Sequence, residues 1–397
     1  MEKKILVVDD EKSVITALHR ELYPWTVEHG VEIITADSGD TAYRMVEADP
    51  KGIALLISDQ RMPGLSGTDL LAKVNVSYPK IITMLLSGYS ETRDMIQAIK
   101  SGAFSYILKP WNRYQLLNEV RNAFDFYLSR EREERNQENL HDDLTWAGDL
   151  QRKLLQVEFP KDDRVIYSVQ SEPASEFGMS GDYYDVIRLD QDRHLILLAD
   201  VAGHGVKSAF LTFVLKTLLN TEQVLDLIGA DSRVVDLVEW ANKRLCQDLR
   251  EIPDLVVTFA ACLIDLARMQ ITFVNAGIPY FYIIRSNRAV PIKFPGAPLG
   301  FMAEMKYEQY VEPITPGQRL LFLTDGIVDE LQTVTLDKKP SEETSDEDLT
   351  LPTVQQIILS MSSVEPFAAA FVDAVKSTVG IREFPDDVTV ITAQIRA

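Results

Sequence analysis

The first third of the sequence carries a distinctive set of polar residues that directly follow or end short apolar runs. These residues are Asp9, Asp10, Asp59, Ser87 and Lys109. Continuous apolar runs are typical of parallel strands that are covered on both faces, and the ligands of such sheets gather at the carboxyl ends of the strands. The pattern therefore predicts that three carboxylates, a hydroxyl and an ammonium group converge at one edge of a sheet.

The chemistry of this predicted cluster suits a divalent cation and phosphoryl transfer. Clustered carboxylates repel one another unless a cation lies between them, and oxygen ligands of this kind suit Mg²⁺ or Mn²⁺. The cation and Lys109 could neutralise a phosphoryl group on the carboxylate of Asp59, while Pro63 and Gly64 shape the turn beside it. A single aspartate at a strand end is more often a cap or a turn residue, so the prediction depends on all five positions together.

A second set of aspartates lies beside glycines, near the ends of apolar segments in the C-terminal half. The four motifs are SGDYYD (180–185), LLADVAGHG (197–205), FLTDGIVDE (322–330) and FPDDVTV (384–390). One such acid would ordinarily be a turn residue, but four of them in one place would require divalent cations to offset their repulsion. Two cations bridged by an aspartate could hold a hydroxide and clamp a phosphoryl oxygen, which is hydrolysis by in-line displacement.

The elements that must position the first set alternate between β-rich runs and helical patterns over residues 1–125. Strands are predicted at 4–8, 53–58, 82–87 and 104–108, and helices at 13–23 and 91–101. This alternation favours a doubly wound α/β domain.

A long helix is predicted over residues 111–156. Its apolar stripe consists of Leu117, Val120, Phe124 and Tyr127. The stripe lapses through REREERNQEN (130–139) and resumes over 140–154. The pattern is compatible with a coiled coil that would join two copies in a homodimer, and equally with a solvated single helix.

From about residue 163 the pattern changes to that of an α+β domain with antiparallel sheets. Strands are predicted at 164–170, 183–189, 194–200, 255–265, 270–275, 279–284, 319–324 and 388–395, and helices at 207–220, 232–249, 352–361 and 365–379. The acidic segment LDKKPSEETSDEDL (336–349) carries too little apolar surface to order itself, so we expect a loop there.

Composition limits the classes of function. The 397 residues suggest two to three domains, and 60 acidic against 40 basic residues disfavour nucleic acid or an anionic membrane as the main partner. No apolar run approaches the ~18 residues of a membrane span, and the N-terminus lacks the features of a signal peptide. Cys246 and Cys262 each lie in an apolar context without a paired cysteine motif. These features predict a cytoplasmic protein with reduced cysteines.

The motifs VVDD (7–10), SDQRMPGLSG (58–67), LLSG (85–88) and YILKP (106–110) resemble, in order, the receiver domain of two-component response regulators. The resemblance implies a five-stranded flavodoxin-like α/β fold over residues 1–125 and a sensor histidine kinase or phosphotransfer protein as partner. The site residues that it implies are the phosphoacceptor Asp59, the Mg²⁺ ligands Asp9, Asp10 and Asp59, the phosphoryl sensors Ser87 and Lys109, and the aromatic switch Tyr106.

The four aspartate motifs, together with VNAGIPY (274–280) and GAPLG (296–300), resemble the metal-dependent protein phosphatases of type 2C. The bacterial SpoIIE/RsbU-like serine/threonine phosphatases are the most similar branch. The resemblance covers about 165–397 and implies an antiparallel β-sandwich flanked by helices, with two Mn²⁺ or Mg²⁺ ions. The metal ligands that it implies are Asp182, the bridging Asp200, the backbone carbonyl of Val201, Asp325 and Asp386, with Asp387 as a neighbour or substitute.

Two positions near these motifs leave open questions. The branch usually has a histidine where this sequence has Ile278. That histidine is not a metal ligand, so we expect the metal chemistry to survive. His204 is a candidate general acid for the leaving alkoxide, or else a residue of the turn that precedes the next helix. The segment DLQRKLLQ (149–156) resembles the linker helix that enters this type of phosphatase domain.

Together these features predict a receiver domain at 1–125, a helical linker at 126–162 and a phosphatase domain at 163–397. The predicted function is a response regulator that controls a metal-dependent protein serine/threonine phosphatase. The substrate expected from the resemblance is a phosphorylated anti-sigma-factor antagonist, a STAS-domain protein, in stress or sigma-factor signalling. The alternative is a non-catalytic adaptor with a phosphatase-like fold, which the complete set of acids disfavours. A transcription factor is disfavoured by the charge and by the lack of a helix-turn-helix pattern.

Overall fold

The computed structural model describes two compact units and most of the chain. The described residues are 3–88, 102–203, 205–229, 233–248, 256–278, 281–286, 288–336, 351–361 and 366–396. The N-terminal unit comprises Met1–Leu140 and the C-terminal unit His141–Ala397. Among the helices of the described part, none is long and apolar enough to cross a membrane.

The N-terminal unit is built on a five-stranded parallel sheet. Its strands are β1 (Lys3–Val8), β2 (Val31–Ala36), β3 (Ile53–Asp59), β4 (Ile82–Gly88) and β5 (Ser105–Lys109), in the order β2-β1-β3-β4-β5. All pairs are parallel. The sheet is covered on both faces, since Ile5 and Val7 lie in one core cluster and Leu6 and Val8 in another. This confirms the predicted receiver fold.

Three helices of this unit connect the strands: α1 (Lys12–His29), α2 (Gly39–Ala48) and α3 (Gly67–Ser77). The sequence pattern predicted part of α1 but missed β2, α2 and α3. β2 is an edge strand with only its ends buried, so its apolar run is interrupted. α2 and α3 are short, and each begins at a serine whose side chain caps a backbone N–H, a local signal that could have revealed them. The helix predicted at 91–101 lies outside the described residues.

A single helix, α4 (Arg113–Leu154), includes the boundary between the units. Val120, Phe124 and Tyr127 from the predicted stripe are buried in the core of the N-terminal unit, so the stripe covers that core. In the polar middle, Glu131 forms an ion pair with Lys3 at 2.8 Å and Glu134 pairs with Lys80. The polar residues that interrupt the stripe therefore form ion pairs within the N-terminal unit. A dimer through the helix stays a prediction.

The C-terminal unit is a sandwich of two antiparallel five-stranded sheets, as the sequence predicted. One sheet has the order β13-β10-β9-β8-β7 and the other β12-β11-β14-β15-β6. The strands are β6 (Val165–Glu172), β7 (Asp182–Arg188), β8 (Arg193–Val201), β9 (Val257–Asp265), β10 (Gln270–Ala276), β11 (Phe281–Arg285), β12 (Arg288–Ile292), β13 (Gln309–Pro313), β14 (Arg319–Leu323) and β15 (Val388–Ile395). A core cluster with residues from both sheets, such as Phe273 and Phe281, lies between them.

Helices cover the outer faces of the sandwich. The helices α5 (Val206–Leu218), α6 (Thr221–Ile228) and α7 (Val234–Asp248) pack on the first sheet, and α8 (Asp325–Leu336), α9 (Leu351–Ser360) and α10 (Phe367–Val379) pack on the second. The sequence pattern missed α6, α8, β12 and β13. The acidic segment predicted as a loop lies, after residue 336, outside the described residues. Both cysteines are free.

Candidate phosphorylation and metal sites

The first predicted cluster lies at the carboxyl edge of the parallel sheet. Asp9 follows β1, Asp59 ends β3 and Lys109 ends β5. Lys109 Nζ lies 2.8 Å from Asp9 Oδ2 and also contacts Asp59 Oδ1. The parallel topology thus places an ammonium group between two carboxylates that are 100 and 50 residues distant in the chain.

Burial and ion pairing set the charges of this cluster. Asp9 is 1% exposed, and burial raises the pKa of its carboxyl although hydrogen bonds from Lys109 and from the Glu11 N–H act against this. Burial by itself would lower the pKa of Lys109, but its hydrogen bonds to Asp59 and Asp9 outweigh burial and raise that pKa. Lys109 is therefore a stable cation beside the proposed phosphoacceptor.

The other predicted receiver residues lie on neighbouring parts of the same unit. Ser87 is buried in β4 and pairs in register with Leu108 of β5. Asp10 is exposed and follows Asp9, and Tyr106 is half buried against one of the core clusters. Within the described residues, no hydrogen bond joins these three side chains to Asp59. The structure therefore brings Asp9, Asp59 and Lys109 into contact and leaves the other three roles as predictions.

The turn after Asp59 depends on two glycines. The N–H of Arg61 donates to Asp59 Oδ2 at 2.7 Å, and the N–H of Gly67 donates to the Gln60 carbonyl at 3.1 Å. A Cβ atom at position 67 would lie 2.0 Å from the carbonyl oxygen of Asp59, and Gly64 has a φ of 81°. Side chains at these positions would open the turn, so the glycines keep Asp59 at the sheet edge.

The second predicted cluster joins the two sheets of the C-terminal unit. Asp182 at the start of β7 pairs in register with Asp200 near the end of β8. The hydroxyl of Thr324, directly after β14, donates to Asp182 Oδ2 at 3.0 Å. The N–H of Thr389 on β15 donates to the Thr324 hydroxyl oxygen at 2.8 Å. A hydrogen-bonded chain therefore connects the aspartate of one sheet to two strands of the other.

The aspartates of this cluster perturb one another. Burial raises the pKa of Asp182 to about 8, and the charges of Asp387 and Asp325 add to this effect. Burial likewise raises the pKa of Asp200 to about 9. The carboxylates that add to that second shift are those of Asp182, Asp325 and Asp386. All four predicted acidic ligands thus lie close enough to interact, although they come from four separate segments.

Two family models match the chain over separate ranges. A model of the response regulator receiver domain matches residues 5–121. A model described as Stage II sporulation protein E (SpoIIE) matches residues 190–396, more than half of the chain. The chain belongs to the SpoIIE family. Its N-terminal part is a response regulator receiver domain, joined to a domain of the SpoIIE phosphatase type.

Curated relatives match this SpoIIE-family chain in parts. The phosphoserine phosphatase RsbP of Bacillus subtilis is 29% identical over 152 residues, which cover 38% of this chain and 37% of RsbP. The hydrogenase transcriptional regulatory protein HoxA of Cupriavidus necator is 35% identical over 122 residues, which cover 30% of this chain and 24% of HoxA. The chain therefore spans well under two thirds of the length of these relatives.

A solved structure shares the fold of the C-terminal unit. The SiaA-PP2C domain of Pseudomonas aeruginosa superposes with a TM-score of 0.50 at 19% sequence identity. The match covers 66% of this chain and 98% of that domain. At this level of identity the likeness shows the fold alone.

The donor set of the SpoIIE-family site fits hard divalent cations. Asp182 Oδ1 is buried and has no hydrogen-bond partner among the described residues, and such an oxygen is costly unless a cation or a donor faces it. Mn²⁺ and Mg²⁺ accept carboxylate and carbonyl oxygens. In the part of the chain that the structure describes, no three acidic, histidine or cysteine side chains are arranged around one metal position. Asp182 Oδ2 instead faces Thr324, and Asp200 shares a hydrogen bond with Asp325.

The two acids of the PDD motif differ in their contacts. Asp387 Oδ1 accepts from the N–H of Ala174 at 2.7 Å, and Asp387 Oδ2 accepts from the N–H of Gly181 at 2.6 Å. Both of its oxygens are thus engaged by the backbone that leads into β7. Asp386 contributes to the shifted pKa of Asp200. Asp387 therefore anchors the Asp182 segment, and both acids lie close enough to the cluster to raise the pKa of a neighbouring aspartate.

Val201 lies in a tightly packed part of the site. Its N–H donates to the Gly181 carbonyl at 3.1 Å. A Cβ atom at position 181 would lie 3.0 Å from the Val201 carbonyl oxygen and 3.0 Å from Ser208 Cβ. A side chain at position 181 would therefore crowd that carbonyl oxygen, which the sequence predicted as a ligand.

The remaining predicted positions have different outcomes. Ile278, at the family's usual histidine position, is 2% exposed and belongs to the core between the two sheets. Its carbonyl accepts from Asn275 Nδ2 at 2.9 Å. The position therefore serves packing in this chain. His204, the candidate general acid, lies outside the described residues.

Three contributors to the site were missed by the sequence analysis. Thr324 and Thr389 form the hydrogen-bonded chain to Asp182. Burial raises the pKa of Asp329, with added effects of Asp325 and Asp386, so this acid borders the same cluster. The motifs FLTDGIVDE and FPDDVTV contain all three residues. A threonine next to an acid, such as Thr324 before Asp325, is common in sequences, however. Only the pairing of the strands shows that its hydroxyl faces Asp182.

Proposed function

We propose that this protein is a response regulator in which phosphorylation of Asp59 controls a metal-dependent protein serine/threonine phosphatase. The observation that carries the proposal is the mutual perturbation of four aspartates, two on strands of one sheet and two beside strands of the other, near a buried carboxylate oxygen of Asp182 that has no hydrogen-bond partner among the described residues. Such a set of acids is tolerated best when divalent cations share it. As functional segments we assign the receiver to 1–125, the helical linker to 126–162 and the phosphatase to 163–397.

In the receiver, the carboxylate of Asp59 accepts the phosphoryl group. The donor is a sensor histidine kinase or phosphotransfer protein, whose phosphorus–nitrogen bond breaks as the new phosphorus–oxygen bond forms. Asp9, Asp10 and Asp59 would hold a Mg²⁺ ion, which would neutralise the phosphoryl charge when bound. Lys109 then pairs with the phosphoryl group in place of the bare carboxylate. Rearrangement of Ser87 and Tyr106 transmits the change.

In the phosphatase, two Mn²⁺ or Mg²⁺ ions would supply an activated water and neutralise the phosphoryl oxygens when they are bound. Asp182, Asp200, Asp325 and Asp386 would hold them, with Asp200 shared and the Val201 carbonyl as a further ligand. Thr324 orients the carboxylate of Asp182 through its hydroxyl. Asp387 fixes the backbone on which Asp182 stands, so its role is to position a ligand.

The proposed substrate is a phosphoserine or phosphothreonine on another protein. RsbP, a relative of this chain, is named a phosphoserine phosphatase. By the resemblance to that branch, we propose a phosphorylated anti-sigma-factor antagonist with a STAS domain, and a role in stress or sigma-factor signalling.

Replacement of the shared ligand tests the catalytic part of the proposal. Asp200→Asn replaces one carboxylate oxygen by an amide NH₂ group that cannot bind a cation, so we expect Mn²⁺-dependent release of phosphate from a phosphopeptide to fall by at least about 100-fold. Mn²⁺ binding should weaken while acetyl phosphate still labels Asp59. Asp373→Asn, an exposed aspartate on α10, is the matched control and should retain full activity.

Two results would contradict this assignment. Normal turnover by Asp200→Asn would show that the acid is not a ligand. If the wild-type chain released no phosphate with Mn²⁺ or Mg²⁺, with and without acetyl phosphate, while it bound a partner protein, it would be an adaptor with a phosphatase-like fold.

A further inference from the structure

Two large apolar side chains are exposed on the loop between β12 and β13. Phe301 is 68% exposed and Met302 is 53% exposed. They directly follow the GAPLG motif (296–300), in which Leu299 is fully buried. Adjacent large apolar side chains in solvent are unfavourable for an isolated protein, and aromatic residues and methionine are enriched where partners bind. The loop is therefore a candidate contact surface.

Hydrogen bonds hold the backbone that carries these two side chains. Asn242 is fully buried on α7, and its Nδ2 donates to the carbonyl oxygen of Met302 at 2.7 Å. Its Oδ1 accepts from the N–H of Gly300 at 3.0 Å. Leu299 exchanges two backbone hydrogen bonds with Val257 at the start of β9, at 2.8 and 3.3 Å. The loop is thus ordered before a partner binds, which lowers the entropy cost of docking on it.

Strand register places this loop near the proposed metal site. Val257 pairs with Val201, the residue after Asp200, and Leu299 pairs with Val257. Paired residues of antiparallel strands lie about 4.5–5.5 Å apart, and two further residues span at most about 7 Å. The Cα atom of Phe301 therefore lies within about 18 Å of that of Val201, the sum of these three steps.

A protein substrate bound over the metal site would extend as far as this loop. A stable protein–protein interface covers about 800 Å² on each partner, which is a disc about 30 Å across. A small phosphomonoester held by the aspartates is too short to reach the loop. Burial of Phe301 and Met302 against a protein would add affinity equally before and during the reaction. These side chains are therefore suited to select the substrate and not to assist the chemical step.

We infer that Phe301 and Met302 form a docking point for apolar side chains of the phosphoprotein substrate and thereby determine which phosphoproteins the site accepts. The inference rests on the proposed function. The occupant is an apolar part of the substrate that lies within reach of its phosphoserine or phosphothreonine. In an extended substrate chain, which rises about 3.3 Å per residue, side chains four and five residues from the phosphorylated residue lie at this distance.

The test compares the full-length wild type with the double variant Phe301→Ser/Met302→Ser, with Mn²⁺ present. One phosphoserine peptide carries leucines four and five residues to each side of the phosphoserine, a second carries serines there, and the third substrate is p-nitrophenyl phosphate. We expect the wild type to have an about 10-fold lower KM for the leucine peptide than for the serine peptide, with equal kcat. The double variant should lose this preference and match the wild type on the other two substrates. Leu359→Ser, an exposed leucine on α9, is the matched control and should keep the preference.

The outcomes separate this inference from the proposed function. Equal KM values of the wild type for the two peptides, or a preference that survives in the double variant, would overturn the inference while the phosphatase activity stands. A lower kcat of the double variant on p-nitrophenyl phosphate would show that the loop supports the metal site, and would also overturn it. If the wild type releases phosphate from none of the three substrates, the proposed function fails and the inference falls with it.

Discussion

At the scale of single residues, the two adjacent acids of the PDD motif differ in their hydrogen bonds. Asp387 is buried and uses both oxygens to accept backbone N–H groups. Asp386 adds negative charge beside Asp200, and Asp387 does the same beside Asp182. Both acids therefore repel neighbouring carboxylates, but Asp387 also satisfies two backbone donors of the segment before β7.

The pair can be separated by parallel substitutions to asparagine. Asp387→Asn replaces one acceptor by an NH₂ group that faces a backbone donor, so we expect the free energy of unfolding to fall by about 1–3 kcal/mol. Asp386→Asn removes repulsion and should leave metal-free stability unchanged or raised, while weakening Mn²⁺ binding. Urea unfolding in metal-free buffer measures both. Equal loss of stability in the two variants would contradict the division of roles.

A buried histidine in the C-terminal unit predicts a pH dependence of stability. His194 is fully buried, and its Nδ1 lies 2.8 Å from the hydroxyl of Tyr167. Burial lowers the pKa of His194, and the nearby Arg188 and Arg164 act in the same direction, while Asp162 opposes them. The unfolded chain therefore binds a proton at this residue at a higher pH than the folded chain does.

His194→Gln should remove this dependence. An unfolded histidine has a pKa of about 6.5, so the stability that the neutral ring contributes is present above that pH and is lost as the pH falls below it. The unfolding free energy of the wild type minus that of the variant should decrease from pH 7 to pH 5. Hydrogen bonds from Arg164 lower the pKa of Asp162 to about 2, so this acid stays ionised throughout. Parallel stability curves for the two proteins would refute the assignment.

At the scale of elements, different parts of the linker helix contact the residues of each unit. Its first turns bury Val120 and Phe124 in the receiver core. Its polar middle carries Glu131 and Glu134, which pair with lysines of the receiver. Its last turns place Gly148 and Gln151 against the C-terminal unit. The change in residue type along the helix reflects three kinds of contact.

Gly148→Ala tests the close approach of helix and loop. Alanine favours a helix over glycine by about 1 kcal/mol, but its Cβ would lie 1.9 Å from the Phe177 carbonyl oxygen. We therefore expect a net loss of about 1–3 kcal/mol in unfolding free energy. The exposed Asn139→Ala on the same helix is the control and should be neutral or slightly stabilising. A stabilised Gly148→Ala would show that the loop does not press on the helix.

At the scale of the whole molecule, the proposal requires that phosphorylation at one site changes chemistry at another. Asp59→Ala removes the acceptor oxygen and leaves the acids of the C-terminal unit unchanged. We expect acetyl phosphate to alter the rate of phosphopeptide hydrolysis by the wild type and to leave this variant at its unstimulated rate. Steady-state rates with and without acetyl phosphate measure the difference. An unchanged response in Asp59→Ala would exclude control through the receiver.

The sequence revealed much of the fold because its signals are local. Fully buried strands such as β3 and β15 are continuous apolar runs, and the predictions place them close to their observed limits. The edge strands β2 and β13 were missed, because edge strands alternate or expose their side chains and lose the apolar run. The sequence pattern missed the helix that begins at Asp325, because its first residues resemble a turn at the end of a strand.

The sequence by itself indicated the two families and the residues capable of chemistry, since aspartates beside glycines at strand ends occur in short, recognisable motifs. The tertiary structure alone decided that Asp387 binds the backbone before β7, that the Thr324 hydroxyl donates to Asp182, and that Gln151 binds both Ser180 and residues of α5. The physical reason is the distance along the chain. Motifs and periodicity depend on residues that are neighbours in the sequence, whereas these hydrogen bonds join groups that only strand register and helix packing bring together.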